Sequence, residues 1–373
     1  MLFFRNDYGE GCIPSIMKLM QQANQEPHPG YGEDEYTRKA CEVLQSKFPD
    51  TPCDIHFVVS GTLSNIVMIK NSLRTIDAIL ATDTAHINMH EAGAIESIGH
   101  KIIDCGNVNG KLTATLIKEN LRRVENTHGF LMRPKMVYIS NATEMGTVYS
   151  RKELEEISAV CKENNLYLMM DGARIGSALM SGADYTLNDI AKWCDLFSVG
   201  GTKNGALFGE AIVITNNELK PCFRSVQKQC GGILAKGWLL GLQFLGLFQD
   251  DDFYKYAKKM NNLAGEIQNY VTDLGYPLFM KSQSNQIFLV LTQAEYNYMK
   301  DKVDFEIWEN WDTGIVIRLV TSWHTSQLEV NELKQILKEA IDLSIEEQAR
   351  KVKEDLAAAK KQTQEELTEE IIG

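Results

Sequence analysis

Between residues 54 and 214 short apolar runs alternate with longer amphipathic ones, and this rhythm constrains the fold more than any other feature of the chain. "DIHFVVS" reads as a strand and "TLSNIVMIKNSLR" after it as a helix. "AILAT" and "KIIDC" read as strands, with a helix expected between them near "NMHEAGAIESIG". "TATLIKENLRRVEN" has helical spacing, "MVYIS" is a strand and "RKELEEISAVCKENN" a helix. "LYLMMDG", "LFSVG" and "AIVIT" complete the strands, with "TLNDIAKWC" as a helix between the first two. Continuous apolar runs alternating with 3.6-period runs predict an α/β fold: a mostly parallel seven-stranded sheet flanked by helices. Ligands of such sheets bind at the carboxyl ends of the strands.

After about residue 245 the rhythm changes to one long helical stretch, "DFYKYAKKMNNLAGEIQNYVTDLGY", followed by "QIFLVLT" and "IVIRLVT". We therefore expect a large domain over 1–245, a small C-terminal α/β domain over 246–345, and a tail over 346–373. The tail is rich in Glu, Lys, Gln and Ala, which suits a charged helix or a disordered segment. The net charge of -12 argues against a nucleic-acid partner. No C-x-x-C pair occurs among the eight cysteines, which read as free thiols of a reducing compartment, the cytoplasm. The start of the chain does not read as a signal peptide, and no apolar run predicts a membrane span.

Three strand ends carry polar residues at once. "VVSGTLSN" sets Ser60, Gly61 and Thr62 at a strand-to-helix junction, which is either an ordinary N-cap or a phosphate cradle of free N–H groups. "LYLMMDGARIG" sets Asp171 at the end of a very apolar strand, where a carboxylate needs a partner; Arg174, three residues on, is the local candidate. "LFSVGGTKNG" sets Lys203 in a glycine-rich loop after a third strand. A recessed lysine loses its proton readily and becomes a nucleophile toward carbonyls. The phosphate-loop pattern G-x-x-x-x-G-K-[ST] is absent, since Asn204 follows the lysine. A phosphate cradle, a buried Asp and a later Lys, each at a strand end, suit pyridoxal phosphate. That cofactor needs a lysine for its aldehyde and an acid for its ring nitrogen.

At this point the sequence resembles the threonine aldolase family, a branch of the fold type I pyridoxal-phosphate enzymes related to β-eliminating lyases. The motifs that carry the resemblance are "HPGYGEDEYT", "SGTLSN", "TAHINMHEAGA", "YISNATEMGTVYS", "DGARIG", "SVGGTKNGALFGEA" and "KQCGG". It runs from "FRNDYGEG" to "IRLVTSWHT". The resemblance implies Lys203 as the lysine that condenses with the cofactor and Asp171 as the partner of the ring nitrogen. It implies Gly61 and Thr62, with Thr202, at the phosphate, and His86 stacked on the ring. Arg174 would lie near the ring hydroxyl and the substrate carboxylate. Arg318 would bind the α-carboxylate, and Tyr31 would reach a neighbouring subunit's site in a homodimer or homotetramer.

Two departures from the family stand out. Asn6 in "RND" replaces a serine that contacts the carboxylate, and its amide still donates a hydrogen bond. Glu144 in "NATEMG" falls where many members have a histidine near the substrate hydroxyl; the "ENTH" at Glu125–His128 precedes its strand and is read as coincidence. The implied reaction is retro-aldol cleavage of a β-hydroxy-α-amino acid, with His86 as the base and Glu144 second. The rivals are β-elimination, transamination or racemisation at the same site, and a catalytically silent relative used for binding or assembly. His86 and His90 are four apart, yet no third ligand is apparent and no metal is expected. His28, His56, His100, His128 and His324 read as ordinary surface or loop residues. "WENWD" (Trp308–Asp312) reads as packing in the smaller domain, and Met169 and Met170 as core.

Overall fold

The computed structural model describes residues 1–125 and 131–372, with side chains over 1–124 and 131–356. Its strands in chain order are β1 (Leu2–Phe3), β2 (Asp54–Val58), β3 (Asp77–Ala81), β4 (Lys101–Asp104), β5 (Arg133–Ser140), β6 (Tyr167–Asp171) and β7 (Leu196–Gly200). They continue with β8 (Glu210–Ile214), β9 (Leu278–Met280), β10 (Gln286–Leu291), β11 (Val303–Asp304), β12 (Glu306–Trp311) and β13 (Gly314–Val320). His128, and with it the "ENTH" reading, lies outside the described residues.

Seven strands form one sheet in the order β2-β8-β7-β6-β5-β3-β4. Only β8 runs against its neighbours, pairing antiparallel with both β2 and β7. The short link from β7 to β8 explains this: a parallel return needs a crossover of a dozen or more residues. That link carries Lys203. Every residue of β3, β7 and β8 is buried, as continuous apolar runs covered on both faces require. Successive residues of a strand feed opposite cores. Met136, Tyr138, Met169 and Leu196 join one cluster; Val137, Ile139, Met170 and Phe197 join the other.

The helix expected near "NMHEAGAIESIG" is instead two single turns, His86–Met89 and Ala94–Ser97. Ala92 and Gly93 between them take left-handed φ values of 50° and 72°, which ends the first turn and re-aims the chain. A helix that went unread, Trp238–Phe248, is buried from Leu240 through Phe248. An all-apolar helix shows no amphipathic period, so pattern reading passes over it.

A four-stranded antiparallel sheet, β12-β13-β10-β9, has its own apolar cluster. Leu289, Leu291, Ile317 and Leu319 of the sheet pack there with Ile267 and Val271 from helix Asp252–Leu274 and Leu333 and Leu337 from helix Gln327–Ile372. The first residues of the chain join the same cluster through Leu2 and Phe4, because β1 pairs with β11. The last helix continues through the charged tail to Ile372, and its side chains from Ile345 to Leu356 are all exposed. All eight cysteines are free. Among the described residues no helix is long and apolar enough to cross a membrane.

Candidate active site

Strands β2, β5, β6 and β7 point the same way, so their carboxyl ends meet at one edge of the large sheet. Ser60, Ser140, Asp171 and Lys203 follow from those ends. They line one cavity of about 540 Å³, closed on the far side by Glu306, Trp308 and Arg318 of the smaller sheet. Glycine lets the Asp171 and Lys203 segments approach. A Cβ on Gly172 would sit 2.0 Å from the Ser198 carbonyl oxygen, and one on Gly200 would sit 2.3 Å from that of Ala173.

Asp171 is buried and saturated with donors. Asn65 Nδ2 (3.0 Å) and the Tyr138 hydroxyl (2.8 Å) donate to one carboxylate oxygen, and the Ala173 amide (2.9 Å) donates to the other. Burial works to raise its pKa, but the attraction of His86 and these donors outweigh it and hold the carboxyl below its ordinary value. Arg174, the expected local partner, does not pair with Asp171. Its Nε and Nη2 grip the two oxygens of Asp7 at 2.8 and 3.0 Å instead. The backbone turns after Gly172 and carries the guanidinium away from the strand end, toward the N-terminal segment. Asp7 also accepts from Asn285 Nδ2 at 2.9 Å.

Lys203 sits in the 3-10 turn Thr202–Asn204, ended by Gly205 at a φ of 99°. Burial and then repulsion from Arg174 drive its pKa down, against the carboxylates of Asp7, Asp171 and Glu210. Glu210 at the start of β8 lines the same cavity; burial pushes its carboxyl up to about 8, and its Oε2 has no hydrogen-bond partner. Thr202 and Gly61–Thr62 also line the cavity. Ser60 caps helix Gly61–Ser72 by accepting from the Leu63 amide. The first two amides of that helix have no intrahelical acceptor, and a Cβ on Gly61 would meet nothing within 4 Å.

His86 Nδ1 lies 2.8 Å from Glu91 Oε1, and Asn65 Nδ2 donates to the same oxygen at 2.7 Å. One buried amide therefore ties the His86–Glu91 pair to Asp171. Glu144 Oε1 accepts from the His86 amide (2.9 Å) and the Ser140 hydroxyl (2.6 Å), and burial raises its pKa. The rings of His86 and His90 are 5.4 Å apart at their centres, and both line the cavity. No group of three or more His, Cys, Asp or Glu among the described residues is placed to hold a metal. Arg318 is 8% exposed; its Nη1 donates to Gln286 at 3.0 Å and its Nη2 to Glu306.

Two expected residues lie elsewhere. Asn6 is not among the lining residues; its Oδ1 accepts from the Tyr8 amide, and the neighbouring Asp7 and Tyr8 approach the site instead. Tyr31 is 52% exposed and lines a different cavity, beside Arg224 and Gln227. Trp308 is more than packing: it stacks edge-on to Phe288 and also walls the site. His100 sits in the loop before β4 as expected, though buried, whereas His56 is a strand residue and not a loop one. His100 is 4% exposed, and burial drives His56, inside β2, down to about 4. Asp7, Asn65, Tyr138, Glu91 and Glu210 join the site without having been expected there. Glu91 and Glu210 stood inside quoted motifs, "HEAGA" and "FGEA", and a buried acid beside a candidate lysine or histidine was the available signal.

These observations fit the cofactor read from the sequence. Unpaired amides at a helix start suit a phosphate, a carboxylate kept ionised suits a protonated ring nitrogen, and a lysine driven toward its neutral form suits an aldehyde. Fold and cavity together define the class: a pyridoxal-phosphate-dependent α/β enzyme of fold type I. The β-eliminating lyase family model matches residues 4–366. The low specificity L-threonine aldolase of a Pseudomonas species is 31% identical over 337 residues, covering 88% of this chain and 95% of the relative. The solved threonine aldolase of Leishmania major is 40% identical with a TM-score of 0.89, covering 91% of this chain and 99% of that one. Serine palmitoyltransferase of Sphingomonas wittichii, at 14% identity and a TM-score of 0.68, shares the fold. This chain belongs to the threonine aldolase branch of the β-eliminating lyase family.

Proposed function

We propose that this protein cleaves a β-hydroxy-α-amino acid, threonine or allo-threonine, to glycine and an aldehyde. The observation that carries the reading is that Asp171, Lys203 and Arg318 line one cavity. Pyridoxal phosphate, when bound, supplies the electron sink that lets the Cα–Cβ bond break.

The chain's own residues do the rest. The amides of Gly61 and Thr62, with Thr202, would hold the phosphate. Asp171, kept ionised by its three donors, would hold a proton on the ring nitrogen. Lys203 is driven toward the neutral amine that attack on an aldehyde requires. His86 would face the cofactor ring; its Nδ1 is committed to Glu91, so Nε2 is the nitrogen left to take the hydroxyl proton. Glu144 is the second candidate, since only one of its oxygens is committed to Ser140 and the His86 amide. Arg318 would bind the α-carboxylate and so orient the amino acid for cleavage of one Cα bond. Arg174, clamped by Asp7, lends positive charge beside it. Tyr31 lies outside this cavity, which suits service to a second subunit's site in a homodimer or homotetramer. Free cysteines suit the cytoplasm.

Feeding threonine and allo-threonine to the holoenzyme tests the reading. Acetaldehyde and glycine are expected, and Lys203→Ala lowers aldehyde release by on the order of a thousandfold or more. Ammonia and a keto acid without aldehyde would replace this reading with β-elimination.

A further inference from the structure

Arg318 on β13 and Glu306 on β12 are direct cross-strand partners. The Arg318 Nη2 donates to the Glu306 carboxylate, and both residues line the cavity. The two differ in freedom. Gln286 holds Arg318 from one side, and the Trp308 ring lies 5.2 Å from the guanidinium carbon. Glu306 belongs to the edge strand of its sheet, its side chain is 38% exposed, and the pairing shifts register just beyond it, between Ile307 and Glu309. A fixed cation thus faces a carboxylate that can leave for water at little cost. The Arg318 Nε is buried without a hydrogen-bond partner, so the guanidinium has binding capacity that Glu306 does not use.

We infer that Glu306 is a built-in competitor for the carboxylate of the amino acid at Arg318. This rests on the reading of Arg318 as the carboxylate site. One guanidinium carries one charge, and two carboxylates that share it repel each other. An arriving α-carboxylate takes the Nε–Nη2 edge of Arg318, and Glu306 swings outward on its edge strand. The strength of the Glu306–Arg318 pair therefore sets how much amino acid is needed to fill the site. It leaves the chemical step alone, because Glu306 is released before that step begins.

The test is glycine binding to the holoenzyme by titration calorimetry, for the wild type, Glu306→Gln and Glu306→Asp. Glu306→Gln keeps the shape and removes the charge. It is expected to bind glycine about three- to fivefold more tightly, the scale of a partly exposed ion pair. The KM for threonine falls by the same factor, with kcat unchanged. Glu306→Asp, with its carboxylate drawn back by one methylene, falls between the two. Weaker or unaltered glycine binding in Glu306→Gln overturns the inference and makes Glu306 a residue that orients Arg318. If Glu306→Gln melts early, Glu306→Asp alone decides by the direction of its shift. A wild type that binds glycine yet releases no aldehyde sinks the proposed reaction and leaves this competition standing.

Discussion

The two walls of the cavity are built on opposite plans. At the large-sheet wall, Asp171 and Tyr138 of two parallel strands, Asn65 of helix Gly61–Ser72 and Glu91 form one buried network. At the small-sheet wall, Arg318 is paired with a half-exposed glutamate on an edge strand. The first wall is preorganised, since nothing in it moves without leaving a buried charge unpaired. The second exchanges one carboxylate for another. Rigidity therefore sits where a permanent cofactor would be held, and freedom sits where a substrate would come and go.

Breaking the rigid wall has the largest expected effect. Asp171→Asn removes the carboxylate proposed to face the ring nitrogen; kcat is expected to fall by about a hundredfold or more, on the scale of losing a preorganised electrostatic group. Tyr138→Phe removes only one donor to that carboxylate, and should cost about 1.5–3 kcal/mol of cofactor binding. Steady-state kinetics measures the first, and absorbance of the bound cofactor after dialysis measures the second. Equal, small losses in the two variants would erase the contrast between the walls.

On the other wall, Arg318→Lys exchanges a planar fork for a point charge. The expectation is a KM raised by about ten- to a hundredfold, with a smaller fall in kcat. Steady-state kinetics on threonine separates the two parameters. A loss confined to kcat would mean that Arg318 does not bind the ground-state carboxylate.

The smallest effect sharpens the rigid side. Burial raises Glu210 from 4.5 to about 8, so the native protein holds that proton more tightly than the unfolded chain does. Between those pH values the unfolded chain binds fewer protons, and stability falls as pH rises. Glu210→Gln removes this contribution. Melting temperatures of the cofactor-free protein across that range should decline less steeply with pH in the variant; parallel curves would show that Glu210 titrates normally.

The sequence was most legible where a strand end put chemistry next to apolar runs. Asp171 and Lys203 stood out because a carboxylate and an amine are costly after such strands, and the antiparallel β8 did not change which edge they share. Arg318 was legible only through family resemblance, since "IVIRLVT" by itself is an ordinary strand. Local spacing misled for Arg174: three residues from Asp171 suggested a pair, while Asp7, far away in the chain, provides the partner. Asn6 lies away from the cavity lining for a local reason, because the chain bends after it and its Oδ1 accepts from the Tyr8 amide.

Periodicity and strand-end chemistry pointed, from the order of residues alone, to the α/β layering, the cofactor class and Asp171 and Lys203 as the residues proposed to meet it, because those signals are carried by neighbours along the chain. Only the tertiary structure decided which groups satisfy the charges at the strand ends: Asp7 for Arg174, and the donors Asn65 and Tyr138 for Asp171. Such partners come from distant segments, and a pairing set by packing across separate strands and sheets leaves no local mark in the order of residues.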